Sequence, residues 1–268
     1  MKPATPWNGH PAASNFSRSP ERQRKSPGLK SATRPWACEI KRLIMPGKNT
    51  AAVETLSKSA LRRQKEREKR YQTILAAAEK LFASEGYHMA SMEQIADAAE
   101  VSVGAVYFYF KNKEDLLVQL MDEIGYLLRS IIGTAFKKHG PNITGFKKAG
   151  HAFFEDFCAN YPEKCAIIFR ESVGKSPEVE QHRKALFDKC TGDVLAALTV
   201  VAENQGLCFK GNFSPEIIAV IIMGIYERVA YEYILWQEKP EDLTHIGRDA
   251  VAFITGGIDN LFEGASCT

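Results

Sequence analysis

The sequence predicts an all-α fold, in which a small three-helix domain with a helix-turn-helix precedes a larger helical domain. From about Lys58 to the end of the chain, apolar residues recur at three- and four-residue spacings, the pattern of amphipathic helices. Two helix starts are marked clearly by Ser176-Pro177-Glu178 and Ser214-Pro215-Glu216, because serine at the N-cap followed by proline and an acid favours initiation. No segment alternates apolar and polar residues as a half-buried strand does.

Composition limits the classes of protein that fit. The chain has 268 residues, of which 45% are hydrophobic, and a net charge of +3. The longest apolar run, residues 217–226, is about half of what a membrane span needs, so no membrane contact is expected. Six cysteines without CxxC spacing are typical of a reducing compartment, and we expect the protein to be cytoplasmic.

The first part of the chain is strongly basic. Residues 1–70 hold 17 Lys and Arg against 5 Asp and Glu, a balance of +12 in a chain of net charge +3, so residues 71–268 carry −9. We expect residues 1–57 to form a disordered basic tail, because they lack a hydrophobic period. Two alternatives remain: an organellar transit peptide, or translation that begins at Met45 and omits residues 1–44.

Residues 58–128 are expected to form the first domain, and their helices can be assigned in order. The first helix carries an apolar stripe and stops at Gly86; the stripe consists of Tyr71, Ile74, Leu75, Ala78, Leu81 and Phe82. Ser91 and Gln94 have the spacing of a capping box, which starts a short second helix. Ser102 and Asn112 are suited to cap a third helix ending near 109 and a fourth ending near 138.

Residues 91–110 have the spacing of a helix-turn-helix. Two short helices are joined by a tight turn, and Ala96 and Ala99 are small where the first helix must approach the second. In DNA-binding proteins with this motif, the second helix enters the major groove, which is about 12 Å wide. Other short helical hairpins have a similar pattern, so the spacing alone does not settle the function.

The residues themselves are more specific than their spacing. The segments ILAAAEKLF (74–82), GY (86–87) and IADAAEVSVGAVYFYFKNKEDL (95–116) closely resemble the DNA-binding domain of the TetR family. Members of that family are mostly homodimeric repressors. An N-terminal helix-turn-helix reads an operator, and a variable C-terminal domain binds an effector.

The resemblance implies DNA contacts at matching positions. These positions are Ser91, Met92, Ser102, Val103, Gly104, Ala105, Tyr107, Tyr109 and Lys113. The first two would lie near a phosphate, and the next four would open the recognition helix toward base edges. Tyr107 and Lys113 match positions that grip the backbone, while Tyr109 replaces a frequent histidine. Glu100 occupies a turn position where the family often has glycine; a positive φ there would cost about 1 kcal/mol.

Physical chemistry supports these roles unevenly. Lys113 lies at a helix N-terminus, where its ammonium and free N–H groups together can hold a phosphate. We expect Phe108 and Phe110 to pack in the core and Tyr107 to lie outside it. The basic cluster within residues 62–70 is either a solvated helix face or a phosphate-contacting arm.

Residues 129–268 are expected to form a helical ligand-binding and dimerisation domain. The predicted helices are 143–159, 162–173, 177–205, 215–237 and 245–262. The helix over 215–237 is apolar nearly all round, so one side can pack on its own domain and another on a partner chain. Together with the last helix, whose Gly256-Gly257 permits close approach, it would form a four-helix homodimer interface.

The same domain is expected to bind a small, largely apolar effector, such as a lipid-like or aromatic compound. Three of its helices have enough apolar surface to enclose a cavity. The candidate ligand-binding residues are Phe153, Phe157, Arg170, Tyr226 and Arg228. The alternative is that the rings only fill the core and that Arg228 forms an ion pair with Glu232 or Glu227.

An enzyme is the main competing class. The sequence contains no HExxH, GxSxG or Rossmann glycine pattern, and its six histidines lack metal-ligand spacing. We therefore expect no catalytic residue, no metal and no cofactor. The sequence predicts a transcriptional regulator that binds double-stranded operator DNA, as an effector-released homodimeric repressor. An activator of the same fold and a helical small-molecule-binding protein that has lost DNA binding are the alternatives.

Overall fold

The computed structural model describes residues 58–211, 214–239 and 242–264, and they belong to one compact unit. The all-α prediction is confirmed. The tail expected over residues 1–57 lies outside the described residues. Within the described ranges, no helix combines the length and the apolar composition needed to cross a lipid bilayer.

The N-terminal helices begin where the sequence places their caps. They are α1 (Lys58–Ser84), α2 (Met92–Ala98), α3 (Val103–Tyr109) and α4 (Lys113–His139). Both hydrogen bonds of the capping box between Ser91 and Gln94 are present. Ser102 accepts from the N–H of Ala105 at 3.2 Å, and Asn112 caps α4 in the same way. These local bonds satisfy backbone donors that a helix start leaves free.

The C-terminal helices follow in the predicted order, but three of them end as π-helix. α5 (Ile143–Ala152) continues as a π-helical segment over Phe153–Cys158, and α6 (Pro162–Ala166) continues over Ile167–Glu171. α7 (Pro177–Gln205) has the predicted bounds. α8 (Ser214–Ala230) continues as π-helix over Tyr231–Trp236, and α9 (Leu243–Asp259) completes the set.

A two-stranded ribbon was not predicted. β1 (Leu207–Phe209) and β2 (Phe262–Gly264) pair antiparallel, and the rings of Phe209 and Phe262 lie 4.7 Å apart. Strands of three residues are too short to show an alternating pattern in the sequence. The last helix was expected to end at residue 262, and this is wrong because α9 stops at Asp259. Cys208 in β1 is disulfide-bonded, which departs from the expectation that the cysteines stay reduced.

One hydrophobic core runs through both parts of the described chain. α4 packs against α1 near its start and against α5 and α7 further along. It continues without a break across the domain boundary expected between residues 128 and 129. Its Gly125 permits close contact with α7, because a Cβ there would overlap the side chain of Leu186. The N-terminal helices and the larger C-terminal part therefore share one continuous helix.

Candidate DNA-binding interface and effector cavity

The outer side of α3 is the exposed surface of the helix-turn-helix. Val106 of α3 and Phe110, which follows the helix as its C-cap, are completely buried, whereas Tyr107 is 50% exposed. Phe110 is thus in the core as expected. Phe108 is 70% exposed, so its expected place in the core is wrong: the buried side of so short a helix is already filled by its neighbours two residues away.

The remaining residues predicted to contact DNA differ in accessibility. Ser102 and Gly104 are exposed at the start of α3, whereas Val103, Ala105 and Tyr109 are half-buried. Ser91 is half-buried, and its hydroxyl accepts the N–H of Gln94 at 3.1 Å. Met92 is buried, so its side chain is not exposed on this surface.

The turn between α2 and α3 requires a left-handed residue. Glu100 has a φ of 55°, and the flanking bonds from Glu100 N to Asp97 O and from Val101 N to Ala96 O are 3.1 and 3.0 Å long. The positive φ considered from the sequence is therefore present. Because Glu100 is exposed, its strain is offset by these backbone bonds rather than by packing of its side chain.

Lys113 has a different use from the one expected. Its ammonium donates to the carbonyl oxygens of Tyr87 and Ala90, both at 2.7 Å, and to that of His88 at 3.2 Å. It also lies 4.6 Å from the centroid of the Tyr87 ring. Burial, and next the nearby Lys175, lower the pKa of Lys113. With all three protons donated within the chain, the ammonium fixes the segment before α2.

A buried carboxylate connects the two parts of the protein. Glu171, at the end of the π-helical segment after α6, accepts the backbone N–H of Tyr87 at 2.8 Å and the Nε–H of Arg170 at 2.6 Å. Arg170 also donates to the carbonyl of Ala83 at the end of α1, at 3.3 Å. The larger C-terminal part is thereby attached to the same segment that Lys113 holds.

Two further contacts lie at this junction. Lys164 of α6 forms an ion pair with Glu79 of α1 at 2.5 Å. Lys175 lies 3.1 Å from the imidazole of His88 and 5.5 Å from the centroid of the Tyr87 ring. The connection between α1 and the residues from 164 to 175 is therefore polar, and sequence patterns gave no sign of it because the partners are far apart in the chain.

An apolar cavity lies between α4, α5, α7 and α8. It measures about 60 Å³, and Phe153 and Tyr226 line it as predicted from the sequence. A smaller cavity of about 20 Å³ extends toward Ile168 and Phe169, directly before Arg170. Five residues border both spaces: Leu128, Phe153, Cys190, Met223 and Tyr226. The two cavities are therefore adjacent sections, and these side chains separate them.

The polar groups of the cavity wall are neutralised or uncharged. Arg129 donates to both carboxylate oxygens of Asp193, at 2.5 and 3.1 Å. Burial raises the pKa of Cys190 to about 12 and also raises the pKa of Tyr226, so both are neutral at ordinary pH. A Cβ at Gly150 would overlap the Tyr226 hydroxyl, so glycine is needed there. The wall therefore suits an apolar ligand.

Three of the candidate ligand residues do not border these two cavities. Phe157 is fully buried and packs beside Phe153. Arg170 is occupied at the junction. Arg228 pairs with Glu232 at 2.6 Å and lies 4.4 Å from the centroid of the Trp236 ring, so the ion-pair interpretation is the correct one for this residue.

α8 and α9 expose an apolar surface. On α8 it consists of Ile217, Val220 and Ile221, at three- and four-residue steps. On α9, Phe253 is 75% exposed, and a Cβ added at Gly257 one turn later would meet no atom within 4 Å. Several exposed apolar side chains on two helices are typical of an interaction face, whereas single exposed apolar residues are common on any protein surface.

Comparisons with known proteins agree with this architecture. Residues 74–120 match the profile of a family described as bacterial regulatory proteins, tetR family. The chain is 28% identical over 195 residues to the HTH-type transcriptional activator FasR of Mycolicibacterium smegmatis, covering 73% of this chain and 85% of FasR. It is 23% identical over 196 residues to the probable acrEF/envCD operon repressor of Escherichia coli, covering 66% of this chain and 81% of the repressor.

The fold is also that of a solved regulator. The transcriptional regulator FadR of Bacillus subtilis, crystallised in complex with stearoyl-CoA, superposes with a TM-score of 0.62. The alignment covers 70% of this chain and 98% of FadR, with 21% identity. At that identity the likeness concerns the fold.

Proposed function

The chain belongs to the TetR family of transcriptional regulators, and we propose that it is a cytoplasmic, homodimeric repressor that an apolar effector releases from its operator. The observation that carries this proposal is the position of the cavity. Its smaller section borders Ile168 and Phe169. The next residue, Arg170, donates a hydrogen bond to the end of α1, and Glu171 accepts one from the segment before α2. A ligand that displaces these side chains acts directly on the attachment of the DNA-binding part.

DNA recognition is proposed for the outer side of α3. Tyr107 and Phe108 project from it, and Ser102 and Gly104 leave the start of the helix open for close approach. A hydroxyl on a rigid ring suits a phosphate oxygen, whereas an exposed phenylalanine suits apolar contact with a thymine methyl group. Because charged base-reading side chains are few here, phosphate contacts and DNA shape are expected to contribute much of the specificity.

The effector is proposed to carry a long acyl chain. The wall of the larger section is apolar apart from the Arg129–Asp193 ion pair, whose charges are satisfied within the chain, and FadR, which shares the fold, was crystallised with stearoyl-CoA. The sections of about 60 and 20 Å³ are far smaller than the roughly 300–1,000 Å³ of typical ligand pockets. An acyl chain must therefore push the walls apart. It binds the widened state better than the contracted one, which is the condition for shifting an equilibrium.

The experiment is an operator selection followed by an effector titration. A random duplex library selected on the protein should yield a palindromic site, whose affinity is then measured by fluorescence anisotropy. Stearoyl-CoA should weaken binding, while free coenzyme A, which shares the headgroup, should have no effect. Failure to enrich any palindrome contradicts the operator proposal. Release by free coenzyme A to the same extent contradicts the apolar cavity as the effector site.

An activator is the second candidate, because FasR is named as one and aligns over most of its length. A reporter placed behind the selected operator distinguishes the two. Deleting the regulator should raise reporter expression if the protein is a repressor. Lower expression after deletion would show that it is an activator.

The homodimer is proposed to form through α8 and α9. Gly257→Glu introduces a charge on the exposed apolar face without a clash inside the protomer, since a Cβ there has open space around it. Gly192→Glu is the matched control, because Gly192 on α7 is also exposed and open. Light scattering should give a dimer for the parent and the control and a monomer for Gly257→Glu. A monomeric parent at micromolar concentration contradicts this interface.

A further inference from the structure

One face of α1 changes character along the helix. Arg63, Arg67 and Arg70 lie at steps of four and three residues, and the same series continues through Ile74 and Ala77. Ile74 and Ala77 are buried against the domain. The face that packs on the core in the later turns therefore consists of arginines in the earlier turns, where the helix extends beyond the domain.

These arginines border a cleft beside the recognition helix. The cleft, here called the arginine cleft, has a volume of about 320 Å³. It is lined by Arg62, Arg63, Glu66, Arg67, Arg70 and Tyr109. Tyr109 is the last residue of α3, so the cleft adjoins the end of the proposed DNA-reading helix.

The arginine cleft holds uncompensated positive charge. Glu66 pairs with Arg70 at 3.4 Å, but among the residues that the structure describes, Arg62, Arg63 and Arg67 have no acidic partner. By composition, residues 1–57 add further positive charge, with ten Lys and Arg against three Asp and Glu. Four guanidinium groups around one carboxylate are suited to bind an anion of high charge density.

We propose that the arginine cleft binds backbone phosphates of duplex DNA that flank the bases read by α3. This inference rests on the proposed role of α3 in DNA binding. From Arg63 to Arg70 the helix rises by about 10 Å at 1.5 Å per residue, which matches the axial rise of about three base pairs. With α1 lying along the duplex, successive arginines would reach successive phosphates, and such contacts are independent of base sequence.

The test is the salt dependence of binding to any duplex, so it does not require the operator. A labelled mixed-sequence duplex of about 30 base pairs is titrated at several salt concentrations with the parent chain and with Arg63→Ala/Arg67→Ala. Each lost phosphate contact lowers the magnitude of the slope of log K against log salt by about 0.9. The double variant should lose two contacts per subunit, so its slope should fall by about 1.8 per subunit. If the alanine pair unfolds at lower temperature than the parent, Arg63→Gln/Arg67→Gln replaces it.

The matched control is Lys65→Ala/Lys69→Ala. It removes the same charge from the same exposed helix, but these two side chains do not line the cleft. Its slope should stay near that of the parent. An equal loss of slope in both double variants, or no loss in the arginine variant, overturns the assignment. A parent chain that binds no duplex at all contradicts the proposed function instead, so the two failures are distinguishable.

Discussion

Replacing Lys113 by methionine tests whether this residue fixes a loop or contacts a phosphate. Methionine keeps most of the side-chain stem and removes the ammonium, which leaves the carbonyls of Tyr87 and Ala90 without their donor. Both carbonyls are part-buried, and an unsatisfied buried acceptor costs about 1–3 kcal/mol. The His88 carbonyl is exposed and is hydrated again. Two such acceptors together cost about 2–6 kcal/mol, and because both carbonyls are only part-buried we expect a loss in free energy of unfolding in the lower half of that range, about 2–4 kcal/mol.

The assay combines urea unfolding with salt-dependent DNA binding. Lys113→Met should lower the unfolding free energy and leave the slope of log K against log salt unchanged, because its ammonium already has three acceptors. Lys111→Met removes the same charge from an exposed side chain two residues earlier, and its stability should stay within about 0.5 kcal/mol of the parent. If Lys113→Met instead keeps full stability and lowers the slope by about 0.9, the ammonium contacts a phosphate and the reasoning is refuted.

Three further outcomes are expected. Glu100→Gly should raise the free energy of unfolding by about 1 kcal/mol, since glycine adopts a φ of 55° without Cβ strain. Glu100→Ala keeps the strain and should not raise the free energy of unfolding, which urea unfolding measures for both variants. Glu171→Ala should reduce the ratio of operator affinities measured without and with stearoyl-CoA, because it removes the carboxylate that joins the two parts; an unchanged ratio excludes Glu171 from the coupling. The thiols of Cys158 and Cys190 should resist iodoacetamide at pH 8 in the native chain, because burial raises both pKa values and the thiolate is the reactive form. Labelling of the native chain as fast as of the urea-unfolded chain would contradict this.

The sequence predicts the features that local interactions decide. Ser91, Ser102 and Asn112 were assigned as N-caps because each can bond a backbone N–H three residues ahead, and all three do so. The start of α7 followed from its serine-proline pair, and the helix ends before Gly206, which adopts the left-handed conformation. Such signals lie within a few residues of the bond they form, so a single chain is enough to read them.

The features that the sequence missed are decided by distant partners. Arg129 and Asp193 are 64 residues apart, and Glu171 and Tyr87 are 84 apart, so no spacing rule relates them. The carbonyl contacts of Lys113 were missed for the same reason: its position at a helix start suits a phosphate, and only the folded chain brings three carbonyls within reach. The residues that connect the cavity to the DNA-binding part are thus the hardest to predict from the sequence. Each of them acts through a contact that exists only after α1, α4 and α6 have packed together. Variants at this junction, rather than within the recognition helix, are where effector response and DNA affinity should separate.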